Sequence, residues 1–301
     1  MLAAGVILTI ATAAWLIYLV VRGPRVAPFP HYGYLGLVVI AVAEYLLVQK
    51  QPLVAIYFTP ICWTGYIAAI DAAVFSLSGR SLMRNHPGQF WACTLLSTPL
   101  WLVFEAYNLR LQNWSYEGLP VQLIPRYIGY GWAFATIWPA MLETSQLLRS
   151  AGLWKREWPR RECSRLAAYG WLAAGAVMLV LPLVLPVRLA AYTFGLVWLG
   201  FIFFLDPINY RLQAPSLIED WERGNRARCY SLLASGAICG ILWEFWNFWA
   251  TAKWIYIFPI MQDWKIFEMP APGFLGFLPF AVETYLMYCF CVRLAGHVPD
   301  L

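Results

Sequence analysis

Nine stretches of about 20 apolar residues run through this 301-residue chain, at 2–21, 33–49, 53–76, 90–109, 128–148, 167–186, 189–207, 229–249 and 273–293. That pattern leaves few folds open. A run of this length matches the ~30 Å thickness of membrane hydrocarbon. A backbone with no water around it must satisfy its own polar groups, which within a single segment only a helix does. Charged residues make up 12% of the chain, against about a quarter in soluble domains. The expected fold class is therefore all-α: a polytopic membrane helical bundle with about nine transmembrane helices. The first run lacks a basic leader and a small-residue cleavage site, and Arg22 and Arg25 follow it, so it reads as a retained helix.

The basic residues orient the bundle. Connections after the odd-numbered helices hold 15 of the 21 Lys and Arg residues, six of them between Arg149 and Arg165. By the positive-inside rule the N-terminus lies outside and the C-terminus in the cytoplasm of a bacterial-type inner membrane. The formal charge of +5 is thus a topology signal and gives no reason to expect nucleic acid as a partner. The three histidines (His31, His86 and His297) fall outside the apolar runs, so no imidazole cluster marks a haem or metal site, and no cofactor is expected. The seven cysteines are scattered without a CxxC pair and read as small buried hydrophobes.

The chain also repeats itself. At an offset of 135 residues, Tyr57, Trp63, Asp71, Ser81 and Leu82 meet Tyr192, Trp198, Asp206, Ser216 and Leu217. At 139, Glu105 and Asn108 meet Glu244 and Asn247; at 140, Trp114, Tyr116, Gln122, Pro139, Glu143 and Thr144 meet Trp254, Tyr256, Gln262, Pro279, Glu283 and Thr284. Self-similarity at a fixed period signals a duplicated unit. The expected organisation is an N-terminal helix (1–30) followed by two four-helix repeats (31–150 and 151–301). An even number of crossings sends both copies through the membrane in the same direction, with a pseudo-two-fold along the membrane normal.

Carboxylates inside apolar helices carry the functional signal, since each costs roughly 2.5–3.5 kcal/mol even on the mildest scale. Glu244, Asn247 and Thr251 form one helical stripe at i, i+3 and i+7, and Glu105, Asn108 and Gln112 share the spacing. Pro279 and Pro139 stand four residues before Glu283 and Glu143, where a missing N–H kinks a helix and opens space beside an acid. In one reading these four glutamates line a cavity and supply acid–base groups; in the other they are interhelical hydrogen-bond glue. Trp243, Trp246 and Trp249 recur beside Glu244 as packing, an interfacial anchor, or an aromatic wall that stabilises a cation. Asp71 and Asp206, near helix ends, read as helix termination or as partners of Arg80 and Arg211. Glu44 has no acidic counterpart in the repeat and is left outside the site.

Taken together, an acid and aromatics at a helix end, a Trp-x-Tyr after a short gap, and a proline followed by Glu in the next helix resemble the small membrane-integral carotenoid cyclases. These are the lycopene-type cyclases and the related hydratases. The matching pieces are Trp243-Glu244, Trp254-Ile255-Tyr256 and Pro279 with Glu283, together with Glu105, Trp114, Tyr116, Pro139 and Glu143. That family carries Pro-x-Glu-Glu where this chain has Pro-x-x-x-Glu-Thr, and its repeat has three helices instead of four. The resemblance implies redox-neutral cyclisation, hydration or isomerisation of an isoprenoid. In that scheme Glu283 or Glu143 adds a proton, and Glu244 or Glu105 with the tryptophan wall stabilises the cation and removes one. Asn247, Asn108, Trp243, Trp246, Trp254, Tyr256, Trp114 and Tyr116 would contact the substrate. The same residues also fit a proton-coupled transporter or lipid flippase, or a non-catalytic pigment-binding subunit.

Overall fold

The computed structural model describes residues 1–299. Its long helices are α1 (Leu2–Arg22), α2 (His31–Val48), α3 (Pro52–Ser78), α5 (Pro87–Leu111), α8 (Arg165–Val184), α10 (Phe194–Arg211), α12 (Ala227–Trp249) and α13 (Phe274–Leu294). Between them lie α6 (Leu123–Ala135) and α7 (Ile137–Ser150), and the short turns α4 (Leu82–Asn85), α9 (Val187–Ala190) and α11 (Leu217–Glu222). Among the described residues, six helices are long and apolar enough to cross a membrane: α1, α2, α3, α8, α12 and the segment Ala271–Leu294 that contains α13. Their outer faces are apolar, as lipid contact requires: Ile7 is 66% exposed and Leu35 62%. α5 shows the same inverted surface, with Leu95 72% exposed and Leu109 84%.

Local sequence sets the boundaries. Proline opens α3 and α5 at positions where its missing N–H costs nothing. Gly79 closes α3 in the left-handed conformation at φ 76°. Ser164 and Ser216 cap α8 and α11 by accepting from Ala167 N and Glu219 N, each at 3.1 Å. The expected continuous helix at 128–148 is broken at Thr136, because Pro139 has no N–H for the carbonyl of Ala135. α13, by contrast, runs through Pro279 without interruption. α3 is disturbed at Tyr57, one turn before Pro60.

α2 packs on α3, α8 on α10, α3 and α12 on α7, and α10 and α12 on α13, with α1 laid against α12. Glycine permits two of these contacts. A Cβ on Gly36 would stand 2.4 Å from the Gly65 carbonyl oxygen, and one on Gly65 would stand 2.6 Å from that of Gly36. In the other pair, a Cβ on Gly175 would meet Phe204 N at 2.4 Å and Gly200 O at 2.8 Å. Backbone-to-backbone approach at small residues is how helices associate where no hydrophobic effect drives them together. The buried centre is filled by Trp63, Phe104, Trp138, Tyr285 and Tyr288.

Asp71 and Asp206 end neither of their own helices, α3 and α10, which run on past them; each instead receives N–H groups at the start of the short helix that follows. Asp206 accepts the N–H groups of Leu217 and Ile218 at the start of α11, at 2.6 and 3.2 Å. Asp71 accepts Met83 N at 2.9 Å near the start of α4, along with the hydroxyls of Ser81 and Tyr32. Arg211 lies over the Tyr169 ring instead.

Candidate functional site: a sheet-capped aromatic chamber

α5 and α12 each end just before a Trp-x-Tyr, and the chain there turns extended: β1 is Trp114–Glu117 and β2 is Lys253–Tyr256. The two strands pair antiparallel, with Trp114 opposite Tyr256 and Tyr116 opposite Trp254. An exchange of the two strands maps that register onto itself. A short hairpin, β3 (Lys265–Ile266) with β4 (Met269–Pro270), follows in the second connection. Lys253 and Glu268 tie β2 to that hairpin through an ion pair at 2.5 Å. Alternating polar and aromatic residues suit a short ribbon that is wet on one side and packed on the other.

Asparagines one turn before each helix end hold the strands. The Asn108 side-chain amide donates to Trp114 O at 2.9 Å, and its oxygen accepts from Asn113 N at 2.8 Å and Trp114 N at 3.2 Å. Asn247 donates to Trp254 O at 2.9 Å and accepts from Trp254 N at 3.0 Å. Both amides are thereby committed to strand backbone, so Asn108 and Asn247 position the ribbon and leave ligand contact to others. Thr251 and Gln112, expected on the same helical stripes, fall beyond the helix ends.

With the strands fixed, their side chains reach back to the acids. On Glu105 Oε1 converge Trp101 Nε1 at 2.9 Å, Trp114 Nε1 at 3.1 Å and the Tyr116 hydroxyl at 2.5 Å. Glu244 Oε1 accepts the Tyr256 hydroxyl at 2.9 Å and Trp254 Nε1 at 3.4 Å, and the carboxyl is fully buried beside the Met269 backbone. Burial first, and then the adjacent glutamate charge, push both strand phenols well above the usual tyrosine range, so each stays a hydrogen-bond donor.

Trp101, Trp114, Tyr116, Trp243, Trp254 and Tyr256 wall a chamber of about 120 Å³ under this ribbon, with Trp198 and Phe280 also on its lining. An apolar cavity of ~150 Å³ takes a benzene ring, so the chamber holds one ring-sized piece of a molecule. Trp114, Trp198 and Tyr256 also border an adjoining apolar cavity of about 610 Å³ between α10 and α13. Trp198 lies directly over Gly276, where a Cβ would stand 1.4 Å from its ring.

The four glutamates do not line one cavity as expected. Glu143 and Glu283 are fully buried, Glu283 with no hydrogen-bond partner among the described residues, and none of the four glutamates is among the described residues that line the chamber. Glu143 instead faces Asp71. α7 presents Ile137 to the chamber and α13 presents Phe277 and Phe280, and both helices turn these acids into the helix-packed interior. Thr284 does bond back within its helix, to Ala281 O at 2.8 Å. Trp246 also lies away from the chamber; it packs on Trp63 and donates to Glu44 Oε1 at 3.0 Å.

Sequence reasoning did not foresee the bond between Glu44 and Trp246, 202 residues apart, although Glu44 itself stays outside the chamber lining. It also missed Trp101, which the i, i+4 spacing from Glu105 does mark. Trp198 had been noted only as a repeat position, and nothing in its neighbourhood announced a chamber wall. No protein-family model matches this chain, and no curated protein or solved structure matches it either.

Proposed function

We propose that this chain is a nine-helix protein of a bacterial-type inner membrane that binds an isoprenoid-type lipid and carries out redox-neutral acid–base chemistry on it. α5, α10 and the broken α6–α7 join the six most apolar helices as spans. The charge bias puts the N-terminus and the ribbon outside and the C-terminus in the cytoplasm. A duplicated four-helix unit, α2 to α7 and α8 to α13, accounts for the self-complementary strand register, for the matched Glu–Tyr–Trp sets and for the two glycine contacts.

The observation that carries the function is the pair of Glu–Tyr couples, Glu105 with Tyr116 and Glu244 with Tyr256, with both phenols on the wall of an aromatic chamber. A double bond brought into that chamber meets a phenolic O–H backed by a carboxyl group on each side. One couple adds a proton to the alkene. Indole and phenyl faces stabilise the cation through their quadrupoles, and the other couple removes a proton from a neighbouring carbon. Protons balance and no electrons leave, so the product is an isomer or a ring; capture of the cation by water gives a hydrate. The fully buried Glu244 suits that couple to holding and delivering a proton, and the half-buried Glu105, with three donors on Oε1, suits the other to stabilising and accepting. The resemblance to carotenoid cyclases supports this choice of substrate, with the roles carried by Glu244 and Glu105 instead of Glu283 and Glu143.

Mass spectrometry of apolar lipids that co-purify with the full-length protein tests the reading. An isoprenoid retained by the native protein and lost on Tyr116→Phe with Tyr256→Phe is expected. Bulk phospholipid alone in the native sample would sink it.

A proton-coupled transporter is the second reading, favoured by Glu283. A buried carboxyl with no partner in one conformation is expected to find one in another. Proton uptake by vesicles containing the protein, abolished by Glu283→Gln and untouched by the paired phenylalanine changes, would prefer that reading over the first.

A further inference from the structure

At the end of the bundle opposite the ribbon, where α3 and α7 finish, a cavity of about 180 Å³ is bordered by Arg80, Arg149, Gln146, His86 and three serines, with no carboxylate on its lining. Among the described residues neither guanidinium group forms an ion pair. Arg149 Nε is shut off from solvent without an acceptor, and the residue forms no ion pair among the described residues. The carboxylate in its surroundings, Asp220, is bound to Arg228 at 3.1 Å, which leaves two arginines sharing one acid. Asp71, under the cavity floor, is already served by Tyr32, Ser81 and Met83 N. The serines add little: Ser81 donates to Asp71, and Ser78 to backbone oxygens. What the cavity offers is therefore two guanidinium forks and the Gln146 side-chain amide.

Burying cationic donors without an acceptor is costly. A guanidinium fork binds paired oxygens bidentately, as a phosphate presents them. We infer that this cavity binds a phosphate-type oxyanion, held by Arg149 and Arg80 with Gln146, as free phosphate or as the headgroup of an anionic lipid in the leaflet at that end. The site is separate from the aromatic chamber, and its fate leaves the acid–base reading untouched.

The test uses the full-length protein, freed of lipid in phosphate-free detergent, with native mass spectrometry as the readout. One arm adds inorganic phosphate. The other compares phosphatidylcholine nanodiscs with and without phosphatidic acid. Adducts in the first arm identify free phosphate as sufficient; adducts confined to phosphatidic acid identify the lipid headgroup. In either case Arg149→Gln and Arg80→Gln should each weaken binding by about tenfold or more, the scale of a lost charged hydrogen bond, and Arg149→Lys should retain part of it. Arg80 is exposed, so its variant reports even if Arg149→Gln fails to fold. No adduct beyond phosphatidylcholine alone, or equal binding in the native protein and Arg80→Gln, overturns the site.

Discussion

The two corners of the ribbon carry the same residue types and differ in how tightly they hold their acids. Glu105 is half-buried and has three donors on one oxygen; Glu244 is fully buried and has two, the indole more distant at 3.4 Å. One substitution accounts for much of this. Trp101 stands one turn before Glu105, and the position one turn before Glu244 is Gly240, against which the Phe277 ring packs. A symmetric chamber would offer two interchangeable acids. The missing indole makes them inequivalent, as a site that must both give and take a proton requires.

The largest expected effect follows from that inequivalence. Glu244→Gln keeps the shape and most hydrogen bonding but cannot deliver a proton. Turnover of the co-purifying lipid should then drop by about two orders of magnitude or more. Glu105→Gln should cost less, because Tyr116 and both indoles stay in place. Thermal stability in detergent should change little in either variant, since intramembrane side-chain hydrogen bonds average only ~0.6 kcal/mol. Equal losses in both variants would show that the corners do the same work, and full activity in both would make the glutamates structural.

The glycine contacts sharpen the same comparison away from the chamber. A Cβ at Gly65 would press on backbone, the Gly36 carbonyl at 2.6 Å, whereas one at Gly200 would press on the Leu179 side chain at 2.9 Å. A side chain can turn aside and a packed backbone cannot. Gly65→Ala should therefore destabilise the protein by up to about 3 kcal/mol, the scale of overpacking, and Gly200→Ala by clearly less. Unfolding in mixed micelles measures both, and the reverse order would mean that the α8–α10 pair is the more rigid one.

The strand anchors come next. Asn108 serves two backbone N–H groups and one carbonyl, whereas Asn247 serves one of each. Removing either leaves strand groups unpaired, at about 1–3 kcal/mol for each group that stays buried. Asn108→Ala should be the costlier change. Hydrogen exchange at Trp114 and Trp254 reports the two losses separately, and equal protection in both variants would remove the anchoring role.

Much of the helical layout could be read directly from the chain. The run expected at 229–249 became Ala227–Trp249 and that at 2–21 became Leu2–Arg22, because long apolar segments leave the backbone little choice. The residues of the ribbon were legible too, as paired Trp-x-Tyr motifs, but their partnership was not. Strand pairing between Trp114 and Tyr256 joins positions 142 apart, and no periodicity encodes that. The direction of the acids was hidden for a similar reason. Glu143 and Glu283 sit on helices buried on nearly every side, so an apolar-versus-polar pattern cannot say which face meets a cavity. The bond from Glu44 was not foreseen because the residue was judged by its place in a repeat, whereas its partner, Trp246, comes from the other half of the chain.

The smallest effect is the most direct probe of why the corners differ. Trp101→Phe keeps an aromatic ring against Phe104, Phe134 and Phe280 and deletes one donor to Glu105. Two donors remain, so the stability cost should be near the intramembrane average of ~0.6 kcal/mol. If the extra indole is what sets Glu105 apart, its coupling to the acid should appear in a double-mutant cycle. The Trp101→Phe change should matter in the native background and vanish once Glu105 is Gln, since an amide oxygen attracts the indole N–H less than a carboxylate does. The same tryptophan change combined with Glu244→Gln should be additive, because the two lie in different corners. A cycle that is additive with Glu105→Gln and coupled with Glu244→Gln would assign the asymmetry to the Phe280 ring, which contacts Trp101 on one side and Trp243 on the other.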